Sequence, residues 1–352
     1  MILAFLASVV LLVAWWLTSR LASRDSPFFI LDHPNERSLH LKPTPCTGGL
    51  AIMGSFLVGV GGAVFSGYLT PSTMRVSSPY GWQWIVGMTV LVASVSFLDD
   101  RRGVAVWFRL SVHIIAASGV VLGGGLALLT VAIPLVGAVE LGWFAPLVAV
   151  LFLVWMANLY NFMDGMDGFA GGMTVIGCGL LGYLGWQAHH PVIPVIATLQ
   201  SAAAAGFLVR NFPPAKIFMG DVGSVSTGFL VAALVVLGCR DGVFDLWVPL
   251  IVFSPFILDA TVTLVRRAFR HEKVWEAHRD HFYQRLVLGG WGHRRTVLAE
   301  YGVMILCGGF ALLYQYASEE WRLVILGFWG ALFFSLALAV KGVEQRIQSV
   351  GS

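Results

Sequence analysis

Residues 141–167 read LGWFAPLVAVLFLVWMANLYNFMDGMD, and this stretch decides the fold. Its first part, 141–157, carries no charged side chain, and a helix of about 17 residues is near the minimum that crosses roughly 30 Å of hydrocarbon at 1.5 Å per residue. The run then ends in four amide or acid side chains: Asn158, Asn161, Asp164 and Asp167. The rest of the chain repeats this pattern of an apolar run with polar residues at its end.

The composition extends the pattern to the whole chain of 352 residues. Hydrophobic residues make up 57% and charged residues only 12%, and the mean hydropathy is +0.80. Such a composition predicts an all-α, polytopic integral membrane protein. The connections are too short for a soluble domain, so we predict one domain over residues 1–352. About eleven runs are long enough to span the membrane: 2–19, 47–68, 82–98, 108–130, 141–157, 169–187, 192–210, 222–238, 246–265, 297–316 and 322–341.

The basic residues predict how these spans are oriented. If the N-terminus lies outside, alternate loops place all but three of the 22 Lys and Arg residues on the cytoplasmic side, as the positive-inside rule requires. The exceptions are Arg75, Arg240 and Arg322. The odd number of spans then puts the C-terminus inside. No basic residue precedes run 2–19 and Arg20 follows it, so we predict a retained span rather than a signal peptide.

Charge and cysteine content argue against other classes of protein. The net charge of +3 comes from the cytoplasmic loops and calls for no nucleic-acid partner. The four cysteines form no C-x-x-C pair, which argues against a disulfide framework and against a thiolate metal site. His278 and His281 have a spacing that zinc accepts, but Arg279 lies between them and no thiolate is near, so zinc is disfavoured.

Polar motifs from four distant segments fall on the same predicted membrane face. Asp99-Asp100 ends the third run, 158–167 ends the fifth, Asp221 begins the eighth, and 278–281 lies in the last large cytoplasmic loop. Charged residues within spans cost about 2.5 to 3.5 kcal/mol each on insertion scales, so we interpret the group as a functional site. The alternative for each motif alone is an ordinary polar helix end.

Helical geometry limits how the acids of two motifs can act together. Asp99 and Asp100 differ by about 100° around a helix, so they would reach one site together only where the helix ends. The spacing of three between residues 158 and 167 turns each side chain by about 60° from the one before it. We therefore expect Gly165 and Gly168 to let the chain unwind after Asp164. The freed side chains could orient a base, a ribose or a hydrated metal.

The residue types around Asp221 indicate metal and phosphate chemistry. Asp221 opens a run preceded by Lys216, and the free N–H groups and dipole at a helix N-terminus suit a phosphate. Mg²⁺ takes few protein ligands and keeps waters, and Asp221 is the first choice for its ligand. Residues 266–296 carry eight basic and three acidic side chains, a field that favours a phosphorylated ligand. A loop that faces lipid headgroups would carry the same charge.

These ordered motifs resemble those of the polyprenyl-phosphate N-acetylhexosamine-1-phosphate transferases, the family of the WecA, WbpL and MraY types. The resemblance runs from about Asp32 to Gly289 and includes Pro43-Thr44-Pro45 with Gly48-Gly49. It implies transfer of a sugar 1-phosphate from a UDP-N-acetylhexosamine to undecaprenyl phosphate, with release of UMP. It also implies dependence on Mg²⁺ or Mn²⁺, a bacterial inner membrane with the site facing the cytoplasm, and compatibility with a homodimer.

The resemblance assigns roles to single residues. Asp221 would bind the metal, and Asp99, supported by Asp100, would deprotonate or position the lipid phosphate. Phe218 would stack on uracil, while Arg279 and a catalytic His281 would contact the sugar and the pyrophosphate. The full set of implied substrate-binding residues is Asn158, Asn161, Asp164, Asp167, Lys216, Phe218, His278 and Arg279.

Two departures from the family pattern bear on the branch and on the substrate. Cys46-Thr47 stands where many relatives have Arg-Gly, which removes an expected phosphate contact. His278 and His281 are separated, which favours the WecA- and WbpL-like enzymes of O-antigen or related polysaccharide synthesis. The phospho-N-acetylmuramoyl-pentapeptide transferases remain the alternative, and GlcNAc, FucNAc, QuiNAc and GalNAc all remain open as the sugar. A secondary transporter is the alternative of another class, but transporters place such acids near the midplane and often show repeated halves.

Overall fold

The computed structural model describes residues 1–34, 38–70, 81–273 and 278–350, and Arg75 therefore lies outside the described residues. It confirms the all-α class. Within these residues the chain forms thirteen α-helices: α1 (Ile2–Leu21), α2 (Gly48–Phe65), α3 (Gly81–Arg102), α4 (Val106–Ser118), α5 (Ala145–Phe162), α6 (Phe169–Gln187), α7 (Ile193–Asn211), α8 (Gly220–Arg240), α9 (Trp247–Val252), α10 (Ser254–Phe269), α11 (Phe282–Leu286), α12 (Gly292–Tyr316) and α13 (Glu319–Val350).

Ten helical segments in the described part of the chain are long and apolar enough to cross a membrane, and each overlaps a predicted run. They are Ile2–Leu21, Gly48–Phe65, Gly81–Arg102, Val106–Gly123, Gly142–Phe162, Phe169–Gln187, Ile193–Asn211, Gly220–Arg240, Phe282–Tyr316 and Glu319–Val343. The remaining predicted run, 246–265, is divided between the short helices α9 and α10 at Phe253. Pro255 explains the division, because proline lacks an N–H and its ring clashes with the carbonyl four residues earlier.

Short strands occupy two connections between helices. Strands β1 (Leu31–Asp32) and β2 (Thr44–Pro45) pair antiparallel before α2, with Asp32 opposite Thr44. Strands β3 (Thr130–Ile133) and β4 (Gly137–Glu140) form a second hairpin. The prediction of a helical span over 108–130 is wrong at its C-terminal end, because helical structure ends at Gly123 and strand β3 begins at Thr130.

Helix α8 lies at the centre of the bundle and α13 at its edge. The most apolar window of α8 is 94% buried, whereas that of α13 is 6% buried. The apolar side chains around α8 suit its central position, because other helices surround it on every side. The apolar surface of α13 is left for lipid, because lipid tails solvate such side chains as well as protein does.

Helices α2 and α8 approach each other so closely at one end that glycine is required. A Cβ added to Gly49 would lie 2.1 Å from the main-chain nitrogen of Gly223, which no side-chain movement can relieve. By contrast, a Cβ added to Gly61 of the same helix would meet nothing within 4 Å. The contact holds the N-terminal ends of α2 and α8 side by side.

We therefore expect Gly49→Ala to lower the thermal unfolding temperature of the purified protein in detergent, and Gly61→Ala to leave it unchanged or slightly raised. Overpacking a close contact costs about 1 to 3 kcal/mol, whereas alanine in an open helical position is favoured over glycine by roughly 1 kcal/mol. Differential scanning calorimetry or a dye-based melt measures both. Equal unfolding temperatures for the two variants would contradict the close contact.

Candidate active site

A cavity of about 730 Å³ opens where the ends of α3, α5 and α8 meet the loops before α2 and α11. It brings together ten of the residues that the sequence singled out: Asp99, Asp100, Asn158, Asn161, Asp164, Asp167, Phe218, Asp221, His278 and His281. Two others, Lys216 and Arg279, are not among the lining residues. The four motifs therefore meet at one place, although the lining alone tests none of the roles.

Main-chain hydrogen bonds join the segment around the start of α2 to the segment just before α8. The Phe218 N–H donates to the carbonyl of Pro45 at 2.7 Å. In return, the N–H groups of Gly48 and Gly49 donate to the carbonyls of Phe218 and Met219 at 2.9 and 2.7 Å. The first N–H groups of a helix have no partner within it, and here the segment before α8 supplies the partners. The exchange fixes Phe218 at the cavity.

Cys46 lies in this junction and lines the cavity. Its Sγ lies 3.6 Å from the carbonyl oxygen of Ile30. Burial raises the pKa of the thiol to about 12, and the neighbouring Asp100 and Asp32 add to the effect. The side chain is therefore a neutral thiol near pH 7, and it supplies none of the positive charge that an arginine would bring to this position.

Asp100 caps the beginning of α8 from another helix. Its two carboxylate oxygens accept hydrogen bonds from the N–H groups of Asp221 at 3.2 Å and Val222 at 3.3 Å. Two of the N–H groups that the sequence offers to a phosphate at this helix end are therefore paired with the Asp100 carboxylate, and the phosphate contact stays a prediction. These hydrogen bonds fix the main chain at Asp221, and they thereby fix where the Asp221 side chain enters the cavity.

Asp99 and Asp221 share one cation, Arg109 of α4. The Asp99 carboxylate accepts hydrogen bonds from the Val104 N–H, at 2.6 Å, and from the Arg109 guanidinium. The same guanidinium nitrogen of Arg109 lies 3.3 Å from a carboxylate oxygen of Asp221. Since Arg109 bridges two acids, it offsets part of their mutual repulsion and remains within reach of an anion that enters the cavity.

The remaining negative charge fits a hydrated divalent cation. Burial raises the pKa of Asp164 well above its usual range, and the negative charges of Asp221 and Asp100 raise it further. The carboxamide NH₂ of Asn161 donates a hydrogen bond to the Asp221 carboxylate. In the described residues, no three His, Cys, Asp or Glu side chains form a complete metal cage. The acids at the cavity could hold Mg²⁺, which binds through one or two carboxylates and completes its shell with waters and phosphates.

The acidic turn after α5 has the unwound form that the glycines predict, although α5 ends at Phe162, two residues before Asp164. Gly168 has a φ of +76°, a left-handed conformation that glycine adopts without strain. Asp167 accepts a hydrogen bond from the Ala215 N–H at 2.9 Å and lies 3.1 Å from Nδ1 of His293. The turn is thus held on two sides, and it presents both acids to the cavity.

The histidine loop packs against the same turn. The Tyr283 hydroxyl donates to the Phe162 carbonyl at 3.3 Å, and a Cβ on Gly165 would meet that hydroxyl at 2.2 Å. His278 and His281 lie with ring centroids 4.8 Å apart. Burial lowers the pKa of His278 to about 4, helped by His281 and Arg267, so His278 is neutral near pH 7 and adds no positive charge.

Comparison with known sequences shows the family to which the chain belongs. The model of glycosyl transferase family 4 matches residues 82–239. A Bacillus subtilis protein described as a probable undecaprenyl-phosphate N-acetylglucosaminyl 1-phosphate transferase is 30% identical over 316 residues, which cover 89% of this chain and 85% of the relative. The chain belongs to glycosyl transferase family 4.

Other relatives match over most of the chain. A decaprenyl-phosphate N-acetylglucosaminephosphotransferase of Mycobacterium tuberculosis is 32% identical over 376 residues, covering 98% of this chain and 88% of the relative. A phospho-N-acetylmuramoyl-pentapeptide-transferase of a Synechococcus strain is 28% identical over 306 residues, covering 80% and 82%. These names confirm the resemblance drawn from the motifs.

Sequence reasoning missed several cavity residues of this family 4 transferase. Arg109 and His293 line the cavity but lie outside the motifs, and His40 packs its ring edge-on against Phe218 with centroids 4.8 Å apart. Asp259 holds His281 from α10. Asp259 had a signal, since it is an acid inside the predicted run 246–265 and the rule for charges within spans applies to it equally. His293 had no such signal.

Proposed function

We propose that this protein transfers N-acetylhexosamine 1-phosphate from a UDP-N-acetylhexosamine to undecaprenyl phosphate, with Mg²⁺ or Mn²⁺ as the cofactor. The observation that carries the proposal is the convergence of Asp99, Asp164, Asp221 and Arg109 on one cavity at the ends of α3, α5 and α8. UDP-GlcNAc is the first donor to test, since the Bacillus and Mycobacterium relatives both have N-acetylglucosamine in their names.

The charges of the substrates determine what the cavity must do. Both substrates are polyanions, so their approach requires cations, and Mg²⁺ bound at Asp221 would offset charge on the transferring phosphoryl group. Arg109 can exchange its contacts with Asp99 and Asp221 for phosphate oxygens, because it lies between the two carboxylates. Once Arg109 has moved, Asp99 is left to accept a proton from the lipid phosphate or to orient it.

The reaction we propose is a direct displacement. An oxygen of the lipid phosphate attacks the β-phosphorus of the UDP-sugar, and the bond from that phosphorus to the oxygen bridging it to the α-phosphate breaks in line, which releases UMP. A covalent aspartyl-phosphate route is the alternative. Direct displacement requires less of the protein, because the lipid phosphate is already an anion with at most one proton for Asp99 to accept, and the reaction needs no activated side-chain nucleophile.

The remaining residues would bind the donor. Phe218 offers an aromatic face for uracil, and His40 beside it limits how that ring can turn. Asp167 and Asp164 lie in the turn after α5, where they would orient the ribose or the waters of the metal. His281 would contact the sugar and the pyrophosphate, with His278 beside it at the cavity. Arg279, to which the resemblance assigns the same contact, and Lys216 are not among the lining residues.

Membranes containing the protein should convert labelled UDP-GlcNAc and undecaprenyl phosphate into a labelled lipid that is extracted into organic solvent. EDTA should abolish the product and added Mg²⁺ should restore it. A panel of UDP-sugars in the same assay identifies the donor, and UDP-MurNAc-pentapeptide in that panel tests the alternative branch. Failure of every UDP-sugar with intact, folded protein would refute the proposed function.

The proposed location is a bacterial cytoplasmic membrane with the cavity facing the cytoplasm. Two exposed positions test this: residue 24, just after α1, and residue 135, in the β3–β4 hairpin, where Leu135 is 88% exposed. In a background without the four native cysteines, Leu135→Cys should react with an impermeant thiol reagent in intact cells, and Arg24→Cys should react only after the cells are opened. The reverse result would invert the orientation.

A further inference from the structure

We infer that Asp259 is a positioning residue that fixes the ring of His281 so that its Nε2 faces the substrates. The inference rests on the proposed function, because it assigns His281 a contact with the pyrophosphate. Asp259 belongs to α10 and lies 22 residues before His281, outside the motifs of the site. Its role depends on the contacts that form when α10 packs beside α11.

Asp259 is a buried carboxylate with a full set of hydrogen-bond donors. It is only 7% exposed. One carboxylate oxygen lies 3.1 Å from His281 Nδ1 and accepts hydrogen bonds from the Phe282 N–H at 2.9 Å and the Thr263 hydroxyl at 3.2 Å. The other oxygen accepts the Tyr283 N–H at 3.2 Å. A carboxylate removed from water requires such partners, and three of the four belong to the segment that begins α11.

These donors favour one tautomer of His281. Main-chain N–H groups can only donate, so the carboxylate oxygens of Asp259 act as acceptors, and a hydrogen on His281 Nδ1 completes the contact with them. The His281 side chain also faces the main-chain N–H of Gln284 in a capping box. The hydrogen bond at one ring nitrogen sets the state of the other. Nε2, on the opposite edge of the ring, is therefore left for whatever occupies the cavity that His281 lines.

Neighbouring rings hold the imidazole of His281 in this orientation. Tyr283 stacks on it with an interplanar angle of 15° and centroids 5.7 Å apart. His278 lies 4.8 Å away and, being neutral, does not oppose a positive charge on His281. When a phosphate group faces Nε2, the imidazolium form can donate to Asp259 from Nδ1 and to the phosphate from Nε2. The hydrogen bond from Nε2 would then stabilise the negative charge that develops on UMP as it leaves.

A double-mutant cycle separates this role from a merely structural one. Asp259→Asn should lower kcat by roughly 10- to 100-fold and change the KM for the UDP-sugar by less than about threefold. In a His281→Ala background, the same substitution should cost less than about a further threefold, since Asp259 acts through the ring. Losses that simply multiply in the double variant would overturn the inference.

The matched control is Thr263→Val, which removes another donor to the same carboxylate without touching His281. It should keep kcat within about threefold of the parent, because a single uncharged hydrogen bond contributes modestly. Calorimetric binding of UMP checks that each variant is folded. A loss with Thr263→Val as large as that with Asp259→Asn would mean that the carboxylate only stabilises the loop.

A measurement without turnover distinguishes failure of this inference from failure of the proposed function. ¹⁵N-histidine NMR of the detergent-solubilised protein, with His281→Gln used for assignment, reports which ring nitrogen is protonated. We expect hydrogen on Nδ1 in the parent protein and a changed ring signal in Asp259→Asn. A neutral His281 protonated on Nε2 in the parent would overturn the positioning role, whereas absence of lipid product with the expected signal would count only against the proposed reaction.

Discussion

Replacing Asp221 with asparagine should lower kcat/KM at saturating Mg²⁺ by about 10³-fold or more, since loss of metal-ion catalysis forfeits several kcal/mol of transition-state stabilisation. Asparagine keeps the shape of the side chain but not its charge. The fold should survive, because Asp100 binds the main-chain N–H groups of Asp221 and Val222 rather than the Asp221 side chain. The loss should therefore appear in turnover and not in stability.

Lipid-product formation across a Mg²⁺ titration measures the effect, and thermal unfolding in detergent checks the fold. Asp25→Asn is the matched control, since Asp25 is exposed beyond the end of α1 on the same proposed face. It should behave as the parent protein does. Near-parental turnover of a well-folded Asp221→Asn variant would remove Asp221 from the metal site.

Replacing Asp99 with asparagine should lower kcat by about 10²- to 10⁴-fold, the usual range for a lost general acid–base group, with UDP-sugar binding still measurable. The asparagine oxygen can still accept the Val104 N–H, so the loop after α3 keeps its anchor. Its NH₂ group would face the Arg109 guanidinium, which is also a donor. Arg109 should then shift towards Asp221, and the lipid phosphate should lose both partners.

Asp164→Asn is the comparison variant, because Asp164 lies in the turn proposed to hold the nucleotide and the waters of the metal. It should weaken UDP-sugar binding, whereas Asp99→Asn should leave that binding within a few-fold of the parent. Isothermal titration calorimetry with UDP-GlcNAc distinguishes the two. Lost nucleotide binding in Asp99→Asn together with intact binding in Asp164→Asn would reverse the proposed roles.

Two apolar runs show that hydropathy alone does not predict where a helix breaks or ends. The run 246–265 is apolar apart from Asp259 and a few hydroxyl side chains, and Pro255 marks the division between α9 and α10. Proline is nevertheless often tolerated within membrane helices when neighbours satisfy the freed backbone groups. The run 108–130 also exceeds its helix, which ends at Gly123 before the β3–β4 hairpin. Hydropathy measures whether residues prefer lipid, and it does not report whether they remain helical.

The sequence by itself determined the membrane class, nearly all of the spans and the four motifs of the site. The physical reason is that hydrocarbon leaves backbone groups no partner except those within a helix, so long apolar runs have one solution. The family resemblance also rested on residue order alone, and full-length relatives confirm it.

Only the tertiary structure decided which groups meet at the ends of those helices. Asp100 reaches the N–H of Asp221 across 121 positions of sequence, and Arg109 reaches the Asp221 carboxylate across 112. The link from Asp259 to His281 depends equally on how α10 packs beside α11. Periodicity and composition describe one helix at a time, whereas hydrogen bonds between helix ends depend on packing angles and distances that are set by the whole bundle.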